Sequence, residues 1–273
     1  MNTPSTMLKH TLTLALLGLL ALASCRKEDE TPLDLDITSA GDNAKAEDYF
    51  ADLLRAVDDA AESNGLRDGA DACAPVITID TVAVPYTMTI DFGPVNCTAA
   101  NGRTRRGVLN VTFTGRYRDT GTVITITPQG YHVNDHLVQG TKTVTNLGLN
   151  GDGDPCFSVT VNGSVTAPDG SWTATHQAQR IRTWVSGDDT VTPLDDLYLI
   201  TGNGSGVNRT GTPYTVSITQ ALRVAVGCPW ITAGTVQVVP DGRPARTIDW
   251  GSGACDGTFT VTVNGTTYTI TVG

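Results

Sequence analysis

Glutamate and lysine are nearly missing from most of this 273-residue chain. All four glutamates lie before residue 65, and beyond that point Lys142 is the only lysine. The same stretch contains 37 threonines. Because glutamate and lysine favour helices whereas threonine favours strands, the composition excludes a helical body. It predicts a helical leader followed by an all-β domain over residues 65–273.

The β region contains few side chains of the kinds that catalyse reactions. Histidines occur there only at positions 132, 136 and 176, and no G-x-S-x-G nucleophile motif is present. Glycoside hydrolases use paired carboxylates that often include a glutamate, which this region lacks. A zinc site on His132 and His136 would need a third ligand that the sequence does not identify. A secreted-type hydrolase that uses aspartates stays open as an alternative function.

Positive charge is also scarce. The chain has 18 Lys and Arg against 28 Asp and Glu, for a net charge of −10. Loss of residues 1–24 would remove Lys9 and leave 17 − 28 = −11. A surface this acidic argues against nucleic acid and against anionic lipid as partners.

The first 24 residues contain no acidic side chain. Lys9 and His10 precede an apolar run, residues 11–24, that is too short to span a membrane. This arrangement is typical of a secretory signal peptide. Its end, Leu22-Ala23-Ser24-Cys25, resembles the lipobox of bacterial lipoproteins, which implies lipidation of Cys25 as the first mature residue.

The segment after Cys25 begins RKEDE, residues 26–30. A basic start and clustered acids at this place resemble the export signal of surface-exposed Bacteroidota lipoproteins. A solvated charge run in a linker is the alternative interpretation. Residues 25–43 are polar and lack aromatics, so they are predicted to form a flexible tether. We expect a lipid anchor in the outer membrane, with the protein facing the extracellular side.

Periodicity predicts the elements of the folded part. Residues 44–64 carry apolar side chains at three- and four-residue spacing, which predicts one helix whose apolar stripe packs on the β domain. Beyond it, polar and apolar residues alternate with period two, as in residues 109–114. Turn signals such as Asn264-Gly265 separate these runs. We predict a single antiparallel domain of ten or more strands, either a β-sandwich or a strongly curved β-meander.

One pattern occurs twice. TIDFGPVNC at 89–97 returns as TIDWGSGAC at 247–255, and a cysteine, a proline and Ile-Thr precede each copy. We interpret residues 73–118 and 228–273 as copies of a small β unit. The aspartates of the two TID triplets, Asp91 and Asp249, are predicted to accept backbone N–H bonds in the turn before the glycine. A paired catalytic role for them is the less favoured alternative.

The cysteines lie at positions 25, 73, 97, 156, 228 and 255. With Cys25 acylated, five thiols remain in an oxidising compartment, so at most two disulfides form. Matching positions in the two copies predict the pairs Cys73–Cys97 and Cys228–Cys255. Cys156, outside both copies, is expected to stay unpaired.

Two further groups of residues suggest binding. Asn150, Asp152 and Asp154 alternate oxygen-bearing side chains and resemble the opening of a calcium loop, although Pro155 stands where the turn glycine belongs. Solvated loop aspartates are the other interpretation. Calcium is the only cofactor that the sequence suggests. Tryptophans 172, 184, 230 and 250 offer either a stacking platform for sugars or, as is commoner in β domains, core packing.

Several segments together resemble an uncharacterised family of Bacteroidota lipoproteins. They are the leader helix, TIDFG…NC, RTRRG, GTKTVTN at 140–146, RTW at 182–184 and Cys255-Asp256-Gly257. The resemblance covers nearly the whole mature chain and implies the compartment and a single fold, not a chemistry. We expect a non-catalytic surface lipoprotein that acts as a binding or accessory module for a glycan, a protein or a surface complex.

Overall fold

The computed structural model describes residues 33–63, 74–99, 102–190 and 193–271. The predicted signal peptide, Cys25, the export run and Cys73 lie outside these residues. A compact unit begins at Asp34. Among the described residues, no helix combines the length and the apolar character that crossing a bilayer requires.

The described part of the chain contains one α-helix, one short 3-10 turn (Pro193–Asp195) and fourteen strands. Helix α1 spans Thr38–Ser63. The strands are β1 (Val76–Asp80), β2 (Tyr86–Asp91), β3 (Cys97–Thr98), β4 (Thr104–Phe113), β5 (Val123–Val133), β6 (His136–Leu149), β7 (Pro155–Thr166), β8 (Thr173–Ser186), β9 (Leu197–Val207), β10 (Pro213–Ala225), β11 (Ile231–Pro240), β12 (Arg246–Ser252), β13 (Thr258–Val263) and β14 (Thr266–Thr271).

All of these strands belong to one antiparallel sheet. Its order is β1-β2-β4-β5-β6-β7-β8-β9-β10-β11-β12-β13-β14, with β3 paired only to β4. Neighbours in the sheet are therefore almost everywhere neighbours in the chain, which is a meander. The alternation of exposed and buried residues along β8 shows the period-two pattern that one buried face requires. The predicted all-β fold is confirmed, and its form is the meander.

Helix α1 is buried on every side along much of its length. The consecutive residues Asp52, Leu53 and Leu54 are all buried, as are Asp48, Tyr49 and Phe50 one turn earlier. The helix contacts β5 to β8 and also β11 and β12, which lie far apart in the sheet order. The sheet therefore curves around the helix. A single packed stripe, as the periodicity predicted, describes only part of this burial.

The helix begins six residues earlier than predicted, at Thr38 instead of Ala44 (44 − 38). Asp36 explains this start because its Oδ1 accepts the N–H of Thr38 at 2.8 Å and the hydroxyl of Thr38 at 2.6 Å. Gly41 disfavours helix by intrinsic propensity, so sequence reasoning assigned this stretch to the tether. Packing of Ala40 and Ala44 against the sheet overrides that propensity.

The helix takes part in two hydrophobic clusters. The larger cluster joins its residues from Ala46 to Ala60 to strands β2 and β4 to β9. The smaller cluster joins Ala40 and Ala44 to strands β10 to β13. The helix therefore connects the first and second halves of the sheet.

Arginines of the sheet compensate the acidic side chains of the leader. The ion pairs are Asp34–Arg246, Asp36–Arg243, Asp42–Arg209, Glu47–Arg180, Asp48–Arg103, Asp52–Arg103 and Asp52–Arg105. A charge that is removed from water is tolerated only when it is paired and hydrogen-bonded. The pairing therefore permits an acidic helix inside an apolar sheet.

Asp52 is the most fully satisfied of these carboxylates. Arg105 Nε donates to its Oδ2 at 2.9 Å, Arg103 Nη1 lies 3.0 Å from its Oδ1, and the Tyr131 hydroxyl donates at 3.2 Å. Burial raises the pKa of Asp52, but the hydrogen bond from Arg105 and the charges of both arginines outweigh burial and lower the pKa to about 2. The carboxylate therefore stays ionised in the interior.

The substitution Asp52→Asn should lower the free energy of unfolding by about 3–5 kcal/mol, because it leaves buried guanidinium groups short of a counter-charge. Asp135→Asn is the matched control, since it removes the exposed partner of Arg106 and should cost much less, because exposed ion pairs contribute little to stability. Urea denaturation at pH 7 measures both values. Equal losses of unfolding free energy in the two variants would show that burial does not increase the contribution of an ion pair to stability.

The loss caused by Asp52→Asn should shrink in acid. The folded-state pKa of Asp52, about 2, lies below its ordinary value of 3.8. Its ionised form therefore contributes stability that is fully present above pH 4 and is lost as the pH falls towards 2. Denaturation of both proteins between pH 5 and pH 2 should show the two stabilities converging; a constant difference would contradict the charge argument.

The duplicated unit lies at the two ends of the strand order. The first copy contributes β1 to β4, and the second contributes β11 to β14. In both copies the aspartate accepts the N–H of the glycine two residues later, Asp91 from Gly93 at 2.7 Å and Asp249 from Gly251 at 2.8 Å. Both glycines have positive φ, +79° and +76°, which favours glycine there. The predicted turn role of the aspartates is confirmed.

The cysteines follow the duplication as far as they are described. Cys228 and Cys255 form a disulfide, as predicted. Cys97 is also disulfide-bonded, whereas Cys73, its predicted partner, lies outside the described residues. Cys156, near the start of β7, is free, in agreement with its prediction as the odd thiol.

Candidate functional site

The predicted calcium residues lie in the turn between β6 and β7. Oδ1 of Asn150 accepts the N–H groups of Asp152 and Asp154 at 2.9 and 2.8 Å, and its amide donates to the Asp154 carboxylate at 3.4 Å. Asn150 thus already closes the turn. Within the described ranges, no group of three or more His, Cys, Asp or Glu side chains is placed to share a metal ion. Calcium binding stays a prediction from the sequence.

The two histidines of the β5–β6 turn lie on opposite faces of the sheet. His132 pairs with Leu137, and His136 pairs with Val133, which is buried. His136 faces the helix, where its Nε2 lies 3.3 Å from Lys45 Nζ and its Nδ1 lies 3.3 Å from the Tyr49 hydroxyl. The two histidines that the sequence suggested as zinc ligands therefore do not face each other.

The tryptophans do not form an open platform. Trp184 and Trp250 are buried in the two hydrophobic clusters. Trp230 and Trp172 are half-buried, and the guanidinium of Arg209 lies 4.1 Å from the centre of the Trp172 ring. The core-packing interpretation fits these positions better than exposed stacking does.

A closed polar cluster surrounds the middle of the helix. Lys142 donates to the backbone oxygen of Phe50 at 2.8 Å, and the ring of His176 stacks on Phe50 with 5.8 Å between centroids. Glu47 lies 3.7 Å from His176. Burial, with a further contribution from the charge of Arg182, lowers the pKa of Lys142 to about 7. We interpret this cluster as structural because Lys142 and His176 are buried.

An open groove of about 690 Å³ lies on the described surface. Its walls come from four adjacent strands, β8 to β11, and from the β11–β12 turn. The lining residues are Thr175, Gln177, Ser205, Gly206, Val207, Pro213, Tyr214, Thr215, Val239, Pro240, Asp241, Gly242, Arg243 and Pro244.

The groove floor is built by a close contact between strands. The Tyr214 hydroxyl donates to the backbone oxygen of Thr175 at 3.3 Å. Gly206 lies opposite Tyr214 in the register, and a Cβ on Gly206 would approach the Tyr214 hydroxyl to 2.5 Å. Glycine is therefore required for the Tyr214 ring to lie across the neighbouring strand. The groove rests on hydrogen-bonded strands, so it is formed before any ligand arrives.

The charges of the groove are largely balanced. Arg243 lies 2.8 Å from Asp36 and 3.7 Å from Asp34, which belong to the segment that leads into the helix. Asp241 carries the one carboxylate among the described lining residues. The other polar lining groups are hydroxyls and the Gln177 amide. This composition suits a neutral polar ligand better than an ion.

A second pocket of about 210 Å³ lies where the start of the helix meets the last strands. Its lining residues are Gly41, Ala44, Lys45 and Tyr49 from the helix, Arg209 from the β9–β10 turn, Phe259 from β13, and Ile270 and Thr271 from β14. One wall is therefore cationic and hydroxylated, and the other is apolar.

The nitrogen atoms beside this second pocket form an ordered chain. His136 Nδ1 lies 2.9 Å from the backbone oxygen of Asn134, so we assign its proton to that bond. Nε2 is then free to accept a hydrogen bond from Lys45 at 3.3 Å. Burial and the Lys45 charge lower the pKa of His136, whereas burial and the Arg209 charge lower that of Lys45.

Sequence reasoning did not identify Lys45, Tyr49 or Arg209 as site residues. One signal was available, since Lys45 and Arg55 are the only basic residues among the many acids between residues 34 and 63. That signal does not reveal which strand ends lie opposite Lys45. Only the fold brings β13, β14 and the β9–β10 turn to this side of the helix.

Comparisons of the chain with family models, with curated proteins and with solved structures find no match. Geometry and sequence therefore carry the functional argument.

The substitution Lys142→Met should remove a pH dependence of stability. The folded-state pKa of Lys142, about 7, lies below its ordinary value of 10.5, so the unfolded chain binds more protons between these values. Wild-type stability should therefore gain about 1 kcal/mol per pH unit from this group between pH 7 and pH 9. Urea denaturation at pH 7, 8 and 9 should show a flatter profile for the variant. Parallel profiles of stability against pH would contradict the assignment of this pH dependence to Lys142.

Proposed function

We propose that this protein is a lipid-anchored, non-catalytic binding module that holds a glycan in the groove across β8 to β11. The observation that carries the proposal is the groove itself, about 690 Å³ of open volume on hydrogen-bonded strands. Ligand sites are commonly preformed concave surfaces with a small number of well-placed polar groups.

The lining chemistry favours a sugar. Sugar hydroxyls both donate and accept hydrogen bonds, and Thr175, Gln177, Ser205 and Thr215 present groups that do the same. Pro213 supplies an apolar surface for the C–H faces of a sugar ring. Because Arg243 is already paired with acids of the leader, a neutral chain of sugars fits the charge balance.

A binding function is favoured over hydrolysis by aspartates. Asp241 has no second carboxylate beside it among the described lining residues. Asp91 and Asp249 are occupied as acceptors in separate turns of the duplicated unit. Glycoside hydrolysis by the usual mechanism needs two carboxyl groups across one bond. The arrangement therefore supports recognition without chemistry.

The groove is tested with the soluble body, made without residues 1–24 and with Cys25→Ser. On a panel of oligosaccharides we expect saturable binding of a subset. Gln177→Ala should weaken that binding at least about fivefold, since it removes a neutral hydrogen bond worth about 1 kcal/mol. Gln179→Ala is the matched control, because Gln179 is exposed two residues further along β8 and does not line the groove.

Two results would contradict the proposal. Equal losses in both glutamine variants would place the ligand outside the groove. Release of shortened sugars, abolished by Asp241→Asn, would favour the hydrolase. Calorimetric titration measures the first result, and product analysis of the same mixtures measures the second.

The anchor part of the proposal rests on Leu22-Ala23-Ser24-Cys25 and the RKEDE run. The compact unit that contains the groove begins nine residues after Cys25 (34 − 25). We propose attachment to the outer membrane through Cys25, with the body facing outwards.

The substitution Cys25→Ser should release the full chain from the membrane fraction, because one acyl-bearing residue supplies the anchor. Alanine at positions 27–30 should leave the protein membrane-bound but protect it from protease added to intact cells. Immunoblots of cell fractions and of protease-treated cells report both outcomes. Equal protease sensitivity with and without these alanines would assign the run to a plain linker.

A further inference from the structure

The second pocket shares no lining residue with the groove and has a different chemistry. Lys45, Tyr49 and Arg209 line its polar wall. Phe259 and Ile270, cross-strand partners in β13 and β14, form the opposite wall. The pocket therefore presents hydrogen-bond donors on one side and an apolar surface on the other.

The positive charge at this wall exceeds the negative charge that faces it. Asp42 is already committed to Arg209, whose Nε donates to Oδ1 at 2.7 Å and whose backbone N–H donates to Oδ2 at 2.8 Å. Glu47 and Asp48, the next acids along the helix, pair with Arg180 and Arg103. Among the described residues, Lys45 has His136 as its hydrogen-bond partner and has no carboxylate within ion-pair distance.

A half-buried ammonium group without a paired carboxylate is costly unless a counter-charge arrives. Lys45 is nevertheless held in this position, since Tyr49 OH and Lys45 Nζ contact the two ring nitrogens of the same histidine. The ammonium of Lys45 also lies 5.8 Å from the centre of the Tyr49 ring. These contacts orient the donors before a ligand binds, which reduces the entropy lost on binding.

We infer that this pocket binds a small organic carboxylate. Its anionic group would face Lys45, Tyr49 and Arg209, and its hydrocarbon part would lie against Phe259 and Ile270. The volume of about 210 Å³ exceeds the roughly 150 Å³ of a cavity that accepts benzene. The pocket therefore suits a ligand of about six to ten heavy atoms, such as an aromatic or short-chain carboxylate.

Inorganic phosphate fits this pocket less well. An oxyanion has no apolar part to cover Phe259 and Ile270, and the apolar wall cannot hydrogen-bond to its outer oxygens. A neutral ligand of the same shape would leave Lys45 without its counter-charge. Benzoate, benzamide and phosphate therefore separate the contribution of charge from that of the apolar wall.

Calorimetric titration of the soluble body with these three probes tests the inference. Benzoate should bind, and both benzamide and phosphate should bind at least about tenfold more weakly, because charge-assisted hydrogen bonds and apolar burial both contribute. No heat of binding for benzoate at concentrations far above about 1 mM, the dissociation constant of a weak complex, would overturn the proposal. Equal affinity for benzoate and benzamide would overturn it as well.

Variants assign the site within the molecule. Lys45→Met removes the ammonium group but keeps most of the side-chain volume, and it should weaken benzoate binding at least about tenfold. Lys142→Met is the matched control, since Lys142 belongs to the closed cluster at Phe50 and lines neither cavity. This substitution should change the affinity for benzoate less than about twofold.

Ile270→Trp serves as a second variant that leaves every charge in place. Ile270 is half-buried on the last described strand, so a larger side chain there should fill the pocket and abolish benzoate binding. Circular dichroism and thermal melts confirm that each variant is folded. Wild-type affinity in either Lys45→Met or Ile270→Trp would place benzoate elsewhere and overturn the proposal. Oligosaccharide binding by these variants should be unchanged, which separates this test from that of the groove.

Discussion

The structure depends on the burial of an acidic helix inside a curved sheet. Helix α1 joins both hydrophobic clusters, yet its carboxylates could not leave water without partners. Arginines from β4, β8, β12 and three turns pair with these carboxylates and with Asp34 and Asp36, which precede the helix. This pairing explains the uneven composition of the chain, with acids concentrated in the leader and arginine as the principal cation of the β region. Arginine suits the task because its planar group holds a carboxylate at two points.

The same constraint produces the two candidate sites. Arg243 and Arg209 bind acids that precede or begin the helix, so turns of the second half of the sheet are drawn towards the helix start. The groove forms beside the turn that contains Arg243, and the small pocket forms beside Arg209. Where an arginine is matched by an acid, the surface is nearly neutral and suits sugars. Where Lys45 adds an unmatched charge, the surface suits an anion.

The duplicated unit has a place in this arrangement. Its copies lie at the two ends of the strand order, where a sheet has unpaired backbone groups and is most prone to fraying. A hydrogen-bonded Asp-x-Gly turn occurs in both copies, and the second copy is closed by Cys228–Cys255. Cross-linking a long loop limits the unfolded ensemble. We interpret the repeat as reinforcement of the sheet ends, since Asp91 and Asp249 make turn contacts in both copies.

The sequence by itself determined the features that depend on local chemistry. The alternation of polar and apolar residues with period two predicted the strands. The TID-aromatic-Gly pattern predicted the turn role of Asp91 and Asp249. The matching cysteine positions in the two copies predicted the disulfide Cys228–Cys255. The early start of the helix escaped prediction because Gly41 and its polar neighbours have low helix propensity, and only packing reverses that preference. The position of Lys45 opposite Phe259 and Ile270 also escaped, since it joins residues more than 200 positions apart. Tertiary structure alone decided these contacts, because curvature of the sheet, and no local pattern, sets which strands reach the helix.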